Sequence, residues 1–304
     1  MKHIQLHYES IETCPLCGAA GVDRAKLSRQ SYYFGPYSIS LPDSGVFLRE
    51  CTSCSLLYKN AVPNRMDLAK IMSGGATDVW RPKSGPHPAL DWILPYLDAR
   101  PKCILDIGAS NGDLLAQLKP YASCVSALDV VAYPQCQSIV SKEYIIGEIE
   151  GDLAWSGEKY EIVTAFDIFE HFLDTHSALN NIGALVAEGG KLIVETGDWN
   201  SCEGELGEWY YANLFEHQIF WNRQSIDFLC GKYGFKLVDY RNCSHKGRRG
   251  LGFIKRSAME LVVNLAKFAW FQQAMLAVGK GDPLRFASPA LVDHAFFVLE
   301  KSRA

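Results

Sequence analysis

Two C-x-x-C pairs, Cys14-Pro15-Leu16-Cys17 and Cys51-Thr52-Ser53-Cys54, stand 33 residues apart near the start of the chain. A two-residue gap lets both thiolates of a pair face one ion, and two such pairs complete a tetrahedral four-sulfur shell. A redox C-x-x-C usually opens a helix in a βαβ unit, whereas Cys14 sits in a turn-like CPLCG context. Redox chemistry also leaves the repetition unexplained. The spacing therefore points to zinc held by Cys14, Cys17, Cys51 and Cys54. That zinc is structural, because four thiolates leave no open position for substrate. Cys103, Cys124, Cys136, Cys202, Cys230 and Cys243 lack such spacing and read as small apolar residues.

A second chemical signal is the run Ile104-Leu105-Asp106-Ile107-Gly108-Ala109-Ser110-Asn111-Gly112-Asp113, a strand entering a glycine loop and then a helix. Three chemistries use this geometry. The dinucleotide fingerprint G-x-G-x-x-G fails here, since Ser110 and Asp113 replace its second and third glycines and a carboxylate at 113 would repel a pyrophosphate. The string also satisfies G-x-S-x-G, the hydrolase nucleophile elbow with Ser110 as nucleophile. No HGGG-like oxyanion segment precedes it, and Asp106 and Asp129 would be left without roles. The third chemistry uses more of these residues. Gly108 and Gly112 permit close backbone approach, and Asp129 ends the next strand, where an acid is placed for the two hydroxyls of a ribose. Acids at both positions suit a cofactor with a ribose and a cationic amino-acid tail but no phosphate. S-adenosyl-L-methionine is that cofactor.

These residues need a scaffold, and the pattern along the chain supplies one. Residues 1–62 read as short cysteine-punctuated strands and turns, a zinc-ribbon-like domain. Residues 63–88 carry Pro63, Gly74, Gly75, Pro82, Gly85, Pro86 and Pro88 and read as a connector. From 89 to 304, helix and strand signals alternate. Helices are expected at 89–97, 113–118 and 224–231, and strands at 103–107, 124–128, 162–166, 192–195 and 235–240. A last strand at 294–299 is expected to return to the sheet edge. Short apolar strands alternating with helices imply an α/β fold, a Rossmann-like, doubly wound, mostly parallel sheet. Residues 246–290 read as a helical insertion before the last strand.

The ordered motifs resemble those of class I S-adenosylmethionine-dependent methyltransferases. LDIGASNGDLLAQL resembles the first motif of that family, and YEIVTAFDIFEHFLD its fourth-strand segment. EGGKLIVETGDWNS and FWNRQSIDFLCGKYGFKLVDY are similar to its later segments, so the resemblance covers about 90–300. CPLCG…RECTSCSLLYKN resembles the zinc ribbon fused to a subset of these enzymes that act in sugar, polysaccharide and natural-product pathways. The resemblance implies that Asp106 holds the methionine amino group and that Gly108, Ala109, Ser110, Asn111 and Gly112 pass under the methionyl tail. It implies Asp129 on the ribose, Val130 beside the adenine, Glu150 (within 148–151) at the adenine edge, and Phe166 and Asp167 on the methyl-donor side. For Phe166, core packing is the competing role.

Methyl transfer requires a positioned acceptor and removal of its proton. The candidates for that proton are Glu170-His171, Glu216-His217 and His245, all following sheet strands. LFEHQIFW resembles the Y-x-E-H segment of sugar C-methyltransferases carrying the same ribbon, with Leu214 where that family has Tyr. The departure favours O-methylation of a sugar or glycan hydroxyl with His217 as base and Glu216 and His171 beside it. C-methylation of a keto nucleotide sugar is the alternative, and a cofactor-retaining adaptor without turnover is an alternative of another class.

The 304 residues, 48% hydrophobic and 21% charged, bound these readings. The length fits about two domains with a sizeable core. A net charge of -4 gives no concentrated positive field for general nucleic-acid binding. Cysteines spaced for a metal, with no disulfide framework, suit a reducing compartment, and the N-terminal dozen residues lack a signal-peptide core, so the cytoplasm is expected. The basic run 246–256 would grip phosphates of a nucleotide sugar or lipid-linked glycan. With the apolar stretch to 278 it would contact an anionic membrane surface. A solvated turn before a packed helix is the plain alternative.

Overall fold

The computed structural model describes residues 2–29, 31–79, 87, 89–97, 102–245 and 292–303. Short strands fill the first part of the chain, as the turn-rich sequence predicts. They are β1 (Lys2–Ile4), β2 (Tyr8–Ser10), β3 (Gly21–Lys26), β4 (Ser31–Phe34), β5 (Tyr37–Ser40), β6 (Phe47–Cys51), β7 (Leu57–Lys59) and β8 (Ala61–Pro63). The segment read as a connector holds a helix, α1 (Arg65–Val79), despite its paired glycines. Asn64 starts it by accepting the Asp67 amide on its side chain at 2.9 Å, and Ile71 is buried beneath it. Gly74 lies against the Tyr37 hydroxyl, where any Cβ would come within 2.2 Å, so this glycine serves close packing inside the helix.

The remainder builds the expected α/β sheet. Its elements are α2 (Leu90–Ile93), β9 (Lys102–Ile107), α3 (Asp113–Leu118), β10 (Ala122–Asp129), α4 (Pro134–Ile139), β11 (Tyr144–Ile146), β12 (Tyr160–Phe166), α5 (Thr175–Leu185), β13 (Val186–Gly197), β14 (Ile219–Phe220), α6 (Arg223–Tyr233), β15 (Phe235–Cys243) and β16 (His294–Lys301). Seven strands run in the order β11-β10-β9-β12-β13-β16-β15. The first five are mutually parallel, and β16 is antiparallel to both neighbours. Alternate residues bury opposite faces of the sheet. Leu105, Ile107, Val163 and Val194 pack with Leu179 and Ile182 of α5 and Ile226 of α6. Ile104, Val125, Ile162 and Ile193 pack with Ile93 of α2 and Leu115 of α3.

Two expectations are corrected here. The last strand does not lie at the sheet edge but between β13 and β15. Its first six residues, HAFFVL, are buried throughout, as an interior strand requires, whereas β15 alternates buried with exposed positions and takes the edge. Cys103 and Cys124 are not separate small apolar residues. They sit opposite each other on β9 and β10, Cα atoms 4.7 Å apart, joined as a disulfide that local spacing could not announce. That pair also departs from the expectation of thiols kept reduced. Among the described residues no helix is long and apolar enough to cross a membrane. The expected helix at 257–278 and the basic run at 246–256 lie outside the described residues.

The early and late parts of the chain share one sheet. Strand β14 pairs with β7, giving the order β14-β7-β6-β3, so a strand beyond residue 218 completes the cysteine-bearing sheet. At this seam Lys59 is fully buried and its Nζ donates to the carbonyl of Leu214 at 2.8 Å. Burial pulls the ammonium down to about 7, against the attraction of Glu216. The unfolded chain holds this proton up to the ordinary lysine value of 10.5, so between about 7 and 10.5 it binds more protons than the folded one. Lys59 therefore makes folding more favourable as pH rises across that window. Comparing urea midpoints of wild type and Lys59→Met from pH 6.5 to 10 should show wild type gaining on the variant by about 1–4 kcal/mol. A pH-independent difference would mean that Lys59 does not titrate there.

Candidate functional site

The four cysteines predicted to share an ion do converge. Cys14 Sγ lies 3.6 Å from Cys54 Sγ and Cys17 Sγ 3.3 Å from Cys51 Sγ, with all four sulfurs within 4.8 Å of one another. Sulfurs about 2.3 Å from a tetrahedral ion stand roughly 3.8 Å apart, so this cage has the right size for one. Each pair is built on a tight turn: Gly18 donates its amide to the Cys14 carbonyl, and the amides of Ser53 and Cys54 point at Cys51 Sγ at 3.4 Å.

The glycine loop leaves β9 as expected and is folded by Asp129. One Asp129 oxygen accepts the Ser110 amide at 2.8 Å and the other the Val131 amide at 3.2 Å. Gly108, Ser110 and Gly112 all have positive φ. At Gly108 a side chain would also meet Ile168 at 2.2 Å, and at Gly112 the Cys136 backbone at 3.1 Å, so the turn admits little else. Burial raises the Asp129 carboxyl against the pull of the Ser110, Val131 and Val130 amides. Asp106 is buried below the loop and accepts the Thr164 hydroxyl at 2.6 Å. Ala109 and Asn111 are buried within the loop, and Val130 is 58% exposed at its rim, an apolar surface left to solvent beside the acid. Glu150 has its carboxylate engaged by the Leu173 amide at 2.6 Å and by Arg65 of α1. Phe166 packs on His87 and Phe296, ring centroids 5.5 and 6.4 Å away, so its core role is evident.

Beyond β12 and β13, acids and imidazoles gather on both sides of the sheet. On one side Glu170 is fully buried and accepts the Thr196 hydroxyl at 2.8 Å. His171 Nδ1 lies 2.9 Å from the Glu216 carbonyl and His217 Nδ1 3.0 Å from the Tyr211 carbonyl. Carbonyls only accept, so both Nδ1 atoms carry a proton, which leaves both Nε2 atoms for other partners. Those Nε2 atoms face Glu170 Oε1 at 3.9 and 3.8 Å. Burial pushes the Glu170 carboxyl up, with His171 pulling against it. Glu170, His171 and His217 together could share a proton or, with their ligand atoms within 4.8 Å, hold a metal. The backbone of Glu216 orients His171, while its buried side chain feels Lys59.

On the other side, Asp167 takes a left-handed backbone at φ 56°, and its two oxygens accept from His245 Nε2 at 3.0 and 2.9 Å. Glu195 of β13 and His294 of β16 lie within reach of it. His294 Nδ1 is 2.8 Å from Asp293 Oδ1, and the Trp209 indole donates to Asp293 Oδ2 at 2.7 Å. Burial alone would lower the His294 pKa, but Asp293, then Glu195 and Asp167, raise it to about 9. The Tyr211 ring touches both groups, 4.0 Å from His217 and 4.7 Å from His294.

The structure thus places His171, Glu216 and His217 in one group and His245 in the other, all weighed from sequence, and adds Glu195, Asp293, His294 and Tyr211. Tyr211 lies three residues before Leu214 in the chain. Asp293 and His294 carried one usable signal, adjacent charged and imidazole groups opening an otherwise apolar strand.

A seven-stranded sheet of this order, with a glycine loop after its first strand and an acid after its second, is the Rossmann-like fold of S-adenosylmethionine-dependent methyltransferases. The model of the family described as "Methyltransferase domain" matches residues 83–240, more than half of the chain, and the protein belongs to that family. Among its relatives, the ubiquinone biosynthesis O-methyltransferase of Coxiella burnetii (strain Dugway 5J108-111) is 27% identical over 147 residues, 44% of this chain and 62% of that protein. The one from Vibrio vulnificus (strain YJ016) is 28% identical over 115 residues, 35% of this chain and 49% of that protein. The chain therefore spans less than two thirds of the length of these relatives. Phosphoethanolamine N-methyltransferase 2 of Haemonchus contortus, solved with S-adenosyl-L-methionine, superposes with a TM-score of 0.53 at 17% identity over 81% of this chain and 63% of that one, a likeness of fold.

Gly197 joins the two sides of the site. Its amide donates to the Tyr211 hydroxyl at 3.2 Å, and a Cβ there would fall 2.3 Å from the Tyr211 ring. Gly197→Ala should cost about 1–3 kcal/mol by overpacking, read as a lower urea midpoint. An unchanged midpoint would mean that Tyr211 moves aside freely.

Proposed function

We propose that this protein transfers the methyl group of S-adenosyl-L-methionine to a hydroxyl of a sugar, glycan or natural-product acceptor, with His217 accepting the hydroxyl proton. The observation that carries the reading is the pair of imidazoles whose Nδ1 protons are fixed by backbone carbonyls. Their Nε2 atoms turn toward one buried carboxylate, Glu170, which would stabilise an imidazolium formed during transfer. His171 and Glu216 take supporting parts, His171 as the second imidazole and Glu216 through its carbonyl. The O-methyltransferase names of the relatives support oxygen as the accepting atom.

In this reading Asp106 holds the methionine amino group, the 108–112 loop passes beneath the methionyl tail, and Asp129 takes the ribose hydroxyls on the lone pairs its loop amides leave. Val130 covers the adenine with its exposed apolar face. Phe166 and Asp167 border the methyl donor. Glu150 reaches the adenine edge only through its backbone, since its carboxylate is engaged elsewhere. Residues 1–62 act as a zinc-stabilised ribbon that supports the catalytic segment. Tyr211 favours a second reading, C-methylation beside a ketone, because it sets a phenol against His217 although Leu214 occupies the motif's tyrosine position.

His217→Ala should lower turnover on the true acceptor by about 10²–10⁴-fold and remove the acid limb of its pH profile, while calorimetric affinity for S-adenosyl-L-methionine stays unchanged. Asp129→Ala should do the reverse, weakening cofactor binding by about 1.5–3 kcal/mol. Wild-type turnover in the His217 variant would move the base to another imidazole.

The cysteine cage makes its own prediction. Purified protein should carry about one zinc per chain, released by thiol modification, and Cys14→Ser should lose the metal and destabilise the N-terminal part. Metal-free protein with four reactive thiols would dismiss the zinc.

A further inference from the structure

Helix α1 belongs to the early part of the chain, yet its first residue reaches the loop that follows β11. Arg65 donates from Nη1 to Glu148 Oε2 at 2.7 Å and from Nη2 to Glu150 Oε2, more than 80 residues further along. The start of the helix is itself pinned. The Asn64 amide donates to the His7 carbonyl at 2.9 Å and the His7 amide to Asp67 Oδ2 at 2.8 Å, so the N-terminal strands fix where Arg65 stands.

Loop 147–151 adjoins the acid read as the ribose ligand. Ile146, which ends β11, is paired with Asp129, which ends β10, and the Gly147 amide donates to the Asp129 carbonyl at 3.0 Å. Around this junction the side chains of Val130, Val131 and Ile146 are left exposed. Three large apolar side chains open to water beside a buried acid suit the flat face of a base whose ribose meets that acid.

The two ion pairs of Arg65 are unequal. Glu148 is half-exposed, and water screens a pair in that setting. The Glu150 side chain is only 9% exposed; burial raises its carboxyl, and the Leu173 amide and Arg65 pull against that rise. Without Arg65 a desolvated carboxylate loses its cationic partner, and the loop that carries it must turn the group toward water. Asn181 of α5 holds the backbone of the same loop, donating from Nδ2 to the Ile149 and Gly151 carbonyls at 2.8 and 2.9 Å. Arg65 holds its carboxylates, so the loop is gripped through both backbone and side chains.

We infer that Arg65 is a positioning residue for the cofactor's adenine. By gripping Glu148 and Glu150 it sets loop 147–151 against the apolar ledge beside Asp129, and through it the N-terminal part governs affinity for S-adenosyl-L-methionine. The inference rests on the cofactor placement proposed above. Lysine is a poor substitute, because one ammonium lacks the planar fork that spans two carboxylates.

Calorimetric titrations of the full, zinc-loaded chain test this with S-adenosyl-L-methionine and with 5′-methylthioadenosine, which keeps base and ribose but lacks the amino-acid tail. Arg65→Gln should weaken both ligands by the same factor, about 5–30-fold. Arg65→Lys should recover only part of that loss, and it carries the test if the glutamine variant fails to fold. With Glu150→Gln already present, Arg65→Gln should cost no more than about 2-fold, because its buried partner has lost its charge. Asp129→Ala runs alongside. If it weakens binding while neither Arg65 variant does, the inference falls and the cofactor placement stands; if Asp129→Ala has no effect, both fall. Lost affinity for S-adenosyl-L-methionine with 5′-methylthioadenosine binding intact would also overturn the inference, since Arg65 would then meet the amino-acid tail directly. So would an Arg65→Gln loss that is equally large with and without the Glu150 charge.

Discussion

The side chain of Lys59, fully buried and donating to the Leu214 carbonyl, fixes the segment on which the candidate chemistry depends. That segment, from Tyr211 to Phe220, presents its own carbonyls to His171 and His217 and enters the cysteine-bearing sheet as β14. A backbone that slipped by one residue would offer amides where carbonyls now stand, and both imidazoles would reverse their tautomers. The position of two ring nitrogens thus rests on a lysine more than 150 residues upstream.

Burial around this segment is costly, and the molecule offsets it locally. Lys59 sits over the Tyr32 ring at 4.6 Å as well as against Leu214. Glu170 has Thr196 and two imidazoles, and Asp293 has Trp209 and His294. Tyr211 lies against an imidazole of each group, so a single packed ring touches the chemistry on both faces of β13.

The parallel strands were legible in sequence because a strand buried on both faces is a continuous apolar run, as in CILDI and EIVTAF. The glycine loop and the cysteine pairs were legible because their chemistry is local in the chain. What escaped was assembled by topology. Asp167, Glu195, His245 and His294 come from four separate stretches, and no spacing rule links them. The Cys103–Cys124 bond required knowing that β9 and β10 are neighbours in register. Helix α1 escaped because two glycines read as a break, while Asn64 and the pocket under Ile71 outweigh their cost. The interior place of β16 was written in HAFFVL, yet its partner β15 had to be seen before the edge could be assigned.

The pairing of β14 with β7 also orders events in time. Strands β3, β6 and β7 leave the ribosome early, but the edge of β7 that β14 covers stays open until residues 219–220 have emerged. At about 5–20 residues per second, the roughly 160 residues between them take some 8–30 seconds to synthesise. Through that interval the nascent chain displays an unpaired edge beside the apolar side chains Leu57 and Tyr58. An open edge of this kind is a template for other chains. Early closure of the cysteine cage, which needs nothing beyond Cys54, would shorten and stiffen what is exposed. A cysteine cage at the front of the chain is in this sense a holding device, keeping three strands in register until their fourth arrives.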